Sequence, residues 1–376
     1  MSKSILIVKT SSLGDIIQSF PVIQYIHAKL PGVGISWVVE EAFVNMVASH
    51  PLVHKAIALD LRGFKKTGNF RKLLEEIRCL RETSYDLVFD LQKNTKSGFI
   101  TALARSPMKV GFGWHSVREW PNVLATHQRF EIPTGENIQR QYLALVRKFF
   151  GDEDFAGKGT GVALKISDSE QDRVTNILRA PELGGAVTIM VCPGSRWRNK
   201  QLPPETWAKF LAKIDQALDA SFVFVGGDAE GLHFCQQMRS QFVRNSVVVE
   251  NLEIATWQNL MQKMKLVIAV DSAALHLCGT TNTPSFSLFG PTSPEVFKPM
   301  GHMHFAMQGR CPYGRTFLKQ CPVLRSCRTG SCIRSMDANV VFQAFWEWWE
   351  ACKHPVNFAR KASCASPSTE ICDSQF

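Results

Sequence analysis

At 376 residues the chain is too long for one typical core, and two domains are expected. Its 45% hydrophobic and 20% charged residues are those of an ordinary globular protein rather than a low-complexity or fibrous one. The 43 Lys+Arg against 33 Asp+Glu leave a net charge of +10, which favours anionic partners such as phosphates, nucleic acid or an acidic membrane surface.

The excess is clustered. Between Leu91 and Phe130 six basic residues (Lys93, Lys96, Arg105, Lys109, Arg118, Arg129) face Glu119 alone, and from Arg310 to Arg334 there are six more and no acid. No stretch approaches the ~18 apolar residues that span a bilayer, and no basic segment followed by a cleavable apolar run opens the chain. A soluble cytosolic protein able to work at a membrane surface is expected.

In chain order, the apolar runs Ile5–Val8, Ile35–Val39, Ala56–Leu59 and Leu87–Leu91 have strand length and alternate with amphipathic segments, the pattern of βαβ units around a parallel sheet. The first run leads into Lys9-Thr-Ser-Ser-Leu-Gly-Asp15, so Asp15 stands where a helix should begin. In open α/β sheets ligands bind at the carboxyl ends of strands, so this acid reads as a helix cap or as a general base. The spacing Ile16, Phe20, Ile23, Ile26, Leu30 predicts the helix, with Pro21 marking a kink or a restart near Ser19.

A polar stretch from Gly151 to Gly161 is the linker candidate. Alternation then resumes: Val187–Cys192, a helix over 205–218, Phe222–Val225, Val247–Val249, Leu266–Val270, and Ser285–Phe289 before Gly-Pro-Thr-Ser-Pro. The expected organisation is a first domain over 1–160, a second over 161–340, a tryptophan-rich terminal helix over 341–361, and a disordered tail over 362–376.

Neither G-x-G-x-x-G nor G-x-x-x-x-G-K-[ST] follows any strand, which argues against a dinucleotide or P-loop enzyme. Three strand-end turns offer other chemistry. In Cys192-Pro-Gly-Ser-Arg-Trp-Arg-Asn-Lys200, Ser195 and Lys200 suit phosphate oxygens, or the loop is merely basic and solvated. Gly226-Gly-Asp-Ala-Glu230 presents a carboxylate to ribose hydroxyls, or is a tight turn with a helix cap. In Val270-Asp-Ser-Ala-Ala-Leu-His276, Asp271 or Ser272 caps a helix whose first N–H groups remain for an anion. His276 falls one turn later, either facing that anion or satisfied in the core.

Eleven cysteines are present. Four of them gather as Cys311-x9-Cys321-x5-Cys327-x4-Cys332 without the paired C-x2-C of zinc knuckles, so structural or free thiols are expected, with a metal site as the alternative.

These segments, over residues 4 to 340, resemble glycosyltransferase family 9, the bacterial heptosyltransferases of lipopolysaccharide core synthesis. The opening Lys9–Asp15 is most similar to the heptosyltransferase I type, while the Cys311–Cys332 segment resembles heptosyltransferase II-like members. The resemblance implies an α/β fold of GT-B type, two Rossmann-like parallel-sheet domains facing across a cleft. It implies an inverting enzyme without metal or cofactor, whose ADP-heptose is a substrate. Asp15 would be the catalytic base. Ser195, Arg196 and Lys200 would hold the donor diphosphate, Glu230 the ribose, and Asp271, Ser272, Ala273, Ala274, Leu275 and His276 the rest of the donor. Ala273 stands where many members carry glycine, and its methyl limits close backbone approach. Ser12, Gly14, Arg62, Lys65, Lys66, Lys93, Lys96 and Arg118 would meet an acidic Kdo–lipid A acceptor at the inner face of the cytoplasmic membrane. Partial burial in the closed cleft would raise the basicity of Asp15 toward a useful range. The expected rivals are another GT-B transferase, a sugar-nucleotide epimerase, and a non-enzymatic binder of anionic glycolipid or nucleic acid. The last lacks the aromatic–basic interleaving of RNA modules.

Overall fold

The computed structural model describes residues 3–60, 63, 67–152, 161–227 and 229–353. Among these residues twelve strands form two six-stranded sheets, and every strand pairing within them is parallel. The first holds β1 (Ser4–Val8), β2 (Gly34–Glu40), β3 (Lys55–Leu59), β4 (Leu87–Asp90), β5 (Lys109–Phe112) and β6 (Gln128–Phe130), in the order β3-β2-β1-β4-β5-β6. The second holds β7 (Val187–Cys192), β8 (Ala220–Val225), β9 (Ser246–Val249), β10 (Leu266–Val270), β11 (Ser285–Phe289) and β12 (His304–Gln308), in the order β12-β11-β10-β7-β8-β9. Counted within each lobe, both orders are 3-2-1-4-5-6, the doubly wound arrangement. The direction of winding reverses between β1 and β4 in one lobe and between β7 and β10 in the other.

Central strands covered by helices on both faces must be apolar throughout. Ile5 to Val8 and Leu266 to Val270 are fully buried, and these were the runs most legible in the sequence. Three strands escaped it. β5 opens on Lys109 and contains Gly111, whereas β6 and β12 are short edge strands carrying Gln128, Arg129, His304 and Gln308. Edge strands need no continuous apolar run, and polar edges discourage pairing with other chains.

The first helix runs from Leu13 to Gln18, stops at Ser19, and a second begins at Phe20 with Pro21 in its first turn. Proline fits there because the first helical N–H groups lack partners in any case. The expected restart is therefore present.

The Leu13–Gln18 helix packs against the Ala273–Cys278 helix of the second lobe, and one buried apolar cluster runs from Ile17 and Phe20 through to Leu275, Cys278 and Phe289. A further tie joins the lobes, from the Asn137 side chain to the Lys298 carbonyl at 2.9 Å.

The terminal helix spans Ala338–Lys353, three residues earlier than expected at its start. It closes the second lobe by setting Phe345 edge-on to Phe210 and Phe286, with ring centroids 5.9 and 5.4 Å away, and Trp348 beside Phe286. The expected tail at 362–376 and most of the expected linker lie outside the described residues. Because Phe345 is wholly buried, Phe345→Ala should lose about 3–5 kcal/mol of stability. Urea unfolding monitored by tryptophan fluorescence checks this, and a loss below about 1 kcal/mol would show that the helix is dispensable to the core.

Candidate active site

The turn after β1 is held by its neighbours before its acid is placed. The Gln92 side-chain oxygen accepts from the N–H groups of Thr10 and Ser11 at 3.1 and 3.3 Å. Gln92 is set in turn by Asp90, at the end of β4, which accepts the N–H groups of Gln92 and Lys93 at 2.9 and 3.3 Å. Asp90 is fully buried and is satisfied by Ser97, Thr101 and Asn122, as a buried carboxylate must be. The two strands flanking the first reversal point thus brace one another.

Asp15 is the third residue of the Leu13–Gln18 helix and accepts from the Ser12 N–H at 3.2 Å and the Ser12 hydroxyl at 2.7 Å. It is therefore a capping residue, and capping leaves its second carboxylate oxygen for other partners. Burial, the largest single influence, pushes its carboxyl up as expected. Lys9, the Ser12 hydrogen bonds and His276 outweigh that, so the group sits below the usual carboxylate range. The expected gain in basicity is not found in this state.

Around Asp15 gathers an excess of positive charge. Lys9 is 3% exposed, its amine 4.9 Å from the Tyr142 ring centroid. Lys93 adopts a left-handed backbone at φ +67°, lays its amine 3.8 Å from the Phe112 centroid, and donates to Gln141 at 3.0 Å. Burial first, then repulsion from Lys319 and Lys9, pushes its ammonium down to about 7. Lys319 comes from the second lobe, and Arg118 also acts on Lys9. The Arg118 N–H donates to the Lys93 carbonyl at 3.0 Å, tying the two basic loops together.

The second reversal point carries the complementary group. Lys200, in a 3-10 turn after β7, meets Asp271, directly after β10, at 2.6 Å, with side chains only 14% and 5% exposed. Thr292 donates to the same carboxylate oxygen. Burial would raise the Asp271 carboxyl, but Lys200, His276 and Thr292 together hold it below its usual range. The lysine expected as a free point charge for phosphate is thus engaged by Asp271 in this state. Ser195 lies against the Asp271 carbonyl at 3.4 Å. Ser272 occupies the N-cap of the Ala273–Cys278 helix without a side-chain hydrogen bond, and among the described residues its buried hydroxyl finds no partner.

His276 joins the lobes. The Gln18 amide nitrogen faces its Nδ1 at 3.2 Å, which leaves Nε2 to carry the proton of the neutral ring, 3.8 Å from Asp271 Oδ1. Burial holds the imidazole neutral by lowering its proton affinity, against the pull of Asp271 and Asp15. Gly14 explains how the ring comes so close: a Cβ there would stand 2.7 Å from His276 Cδ2.

The structure therefore brings together Asp15, Ser12, Gly14, Lys93, Arg118, Ser195, Lys200, Asp271, Ser272 and His276. Other expected contributors stand apart. Arg196, Lys96 and Glu230 are exposed, and Glu230 occupies the first turn of the Ala229–Arg239 helix. Ala274 and Leu275 are buried in the core, so their side chains are packing groups, while Ala273 is half-buried at the first helical position. Arg62, Lys65 and Lys66 lie outside the described residues. Gln18, Gln92, Thr292, Tyr142 and Lys319 went unread in the sequence. For Gln18 the available signal was an amide following the apolar pair Ile16 and Ile17 on the helix face.

The chain matches the sequence profile of Glycosyltransferase family 9 (heptosyltransferase) over residues 73–325. It is 30% identical to lipopolysaccharide heptosyltransferase 1 of Campylobacter coli over 77% of this chain and 84% of that one. The chain belongs to glycosyltransferase family 9.

Membership sets aside the expected epimerase and the non-enzymatic binder. The Pseudomonas aeruginosa lipopolysaccharide heptosyltransferase 1 is 26% identical, over 84% of this chain and 87% of its own. Among solved structures, E. coli heptosyltransferase WaaC with ADP shares the GT-B fold at a TM-score of 0.72 and 22% identity, covering 92% of this chain and 99% of that one. E. coli ADP-heptose heptosyltransferase II does so at 0.68 and 19%, covering 93% and 98%.

In this family 9 enzyme Gly14→Ala should force His276 away, because the ring is buried and cannot swing aside cheaply. Transfer activity is expected to fall at least 10-fold with a folded far-ultraviolet spectrum. Unchanged activity would mean that the contact between the lobes is not needed at the reacting centre.

Proposed function

We propose that this glycosyltransferase moves a heptose from ADP-heptose to a Kdo-containing lipid A acceptor during inner-core lipopolysaccharide synthesis, inverting the anomeric centre. The carrying observation is the meeting of the two reversal points, which sets Asp15 and Lys93 of one lobe opposite His276, Asp271 and Lys200 of the other. Support also comes from relatives named lipopolysaccharide heptosyltransferase 1, and from WaaC, solved with ADP and with ADP-2-deoxy-2-fluoro heptose.

In this reading the acceptor hydroxyl attacks the anomeric carbon, Asp15 takes its proton, and the bond to the diphosphate breaks with its electron pair leaving on ADP. A carboxylate below its usual range is a weak base, so proton transfer comes late, once bond formation has made the hydroxyl acidic. The diphosphate gains negative charge as it leaves. Lys200, Ser195, the unpartnered Ser272 hydroxyl and the backbone N–H groups at Ala273 and Ala274 would receive it, and lysine charge replaces a metal ion there. Lys200 must exchange Asp271 for phosphate oxygens, and Thr292 keeps Asp271 hydrogen-bonded meanwhile. His276, neutral, offers its Nε2 proton without adding charge. Lys9, Lys93, Arg118 and Lys319 would meet acceptor carboxylates. Access to a lipid acceptor in this reading is by peripheral contact at the cytoplasmic face; among the described residues no helix is long and apolar enough to cross a membrane.

Asp15→Asn should lower kcat on the order of 100-fold with ADP affinity nearly kept. Mass-spectrometric detection of heptose transfer to Kdo2-lipid A checks this, and near-normal turnover would remove Asp15 from its role. Lys200→Ala should weaken ADP in isothermal titration while sparing the acceptor. Because it strands a buried Asp271, it should also cost about 3 kcal/mol or more of stability without ligand. A thermal-shift panel of ADP, UDP and GDP tests the donor base, with ADP expected to stabilise most. Finally, Lys93 is charged below its value of about 7 and neutral above it. Acceptor kcat/KM should therefore decline as pH rises through about 7, and Lys93→Arg should flatten that limb. An identical limb in the Arg variant would assign it to another group.

A further inference from the structure

The segment from Arg310 to Arg334 takes no part in the chemistry above apart from Lys319, yet it carries six basic residues and no acid. It is firmly mounted. The Cys321 N–H donates to the Pro291 carbonyl at 2.7 Å, the Ser293 N–H donates to the Lys319 carbonyl at 2.9 Å, and Asn199 donates to the Leu324 carbonyl. These bonds fasten it to the loops that carry Thr292 and Lys200.

Between the segment and those loops lies a cavity of about 780 Å³, lined among others by Arg310, Arg315, Arg328, Tyr313 and Phe317 and by no acidic residue. The three arginines are exposed, and among the described residues none has an acidic partner. Beside them Leu318 is 88% exposed and Tyr313 62%. Next in the chain, Lys319 acts electrostatically on Lys9 and Lys93, so this edge of the segment borders the acceptor side of the cleft.

We propose that the 310–334 segment is a docking surface for an anionic phospholipid leaflet. Arg310, Arg315 and Arg328 take headgroup phosphates at the cavity, and Leu318 and Tyr313 enter the interface. Guanidinium groups pair with phosphate in a forked geometry. A soluble phosphate or a nucleic acid would use that charge, but neither would use an aliphatic side chain held out in water. An interface that is charged at its surface and apolar just beneath uses both, and two weak signals together give firm peripheral binding. The fastening to the Lys200 and Thr292 loops would hold the cleft beside the leaflet, where an amphiphilic acceptor can reach it with its lipid part still in the bilayer. The proposal rests on the lipid-linked acceptor of the preceding reading.

The test is sedimentation of the full chain with vesicles of phosphatidylglycerol and phosphatidylcholine, and with phosphatidylcholine alone. Binding should need phosphatidylglycerol and weaken with salt. The triple variant R310Q/R315Q/R328Q should partition at least 10-fold more weakly, and Leu318→Ser several-fold more weakly with no change of charge. The triple Arg→Lys variant should keep most of the binding, and ADP titration confirms that each variant is folded. Wild-type partition of both the triple Gln variant and Leu318→Ser overturns the proposal, as does equal binding to phosphatidylcholine alone. Displacement by millimolar inorganic phosphate, with Leu318→Ser unaffected, also overturns it in favour of a soluble-anion site. Heptose transfer to a detergent-dispersed acceptor separates the two readings. Vesicle binding without any transfer removes the acceptor assignment and leaves the docking surface, whereas transfer without vesicle binding removes the docking surface alone.

Discussion

Charge removed from water must be paired, and this requirement shapes the space between the lobes. Two carboxylates, Asp15 and Asp271, stand at facing strand ends with their proton affinities held down by lysines rather than raised by burial. Each owes its charged state to a different lysine, Lys9 for the first and Lys200 for the second. A histidine that both acids influence stays neutral between them. Surplus positive charge then accumulates beside Asp15, where Lys93 of the first lobe and Lys319 of the second repel one another. A cluster of basic groups with too few acids beside it favours an anionic ligand before any shape is considered.

The same requirement makes the Lys200–Asp271 pair more than a static contact. A buried pair contributes little net stability once desolvation is counted, so its lysine can change partners at modest cost if the new partner is also a buried anion. Thr292 and the Ser195–Asp271 contact keep the carboxylate and its backbone from being left unsatisfied during such an exchange.

Much of this was legible in the sequence for a simple reason. Strands buried on both faces leave continuous apolar runs, and a ligand site in such folds follows those runs, so position picked out Asp15, Lys200, Asp271 and His276 as candidates while their roles rested on the family resemblance. What escaped lacked that signature. β6 and β12 are edges with polar side chains, and β5 hides behind Lys109. Gln92 and Gln18 matter through hydrogen bonds to residues roughly eighty and two hundred and fifty positions away in the chain, which no local pattern encodes. The direction of the Asp15 shift was misread because burial was visible as a tendency, while the nearness of Lys9 required coordinates. Glu230 and Arg196 lie exposed at their strand-end turns: such a turn brings several polar residues near a ligand site, and sequence alone does not tell which point inward.

The missing side chain at Gly14 has a mechanical meaning. Where the lobes touch through a bare backbone and a flat ring, no side chain at Gly14 interlocks with the ring, so that one contact does not itself resist rolling. A rotation preserving that touch must have its axis close by, and points near an axis sweep short arcs. Any opening about that point would move the outer rims further than it moves Asp15 and His276, so opening the jaws need not unmake the bite.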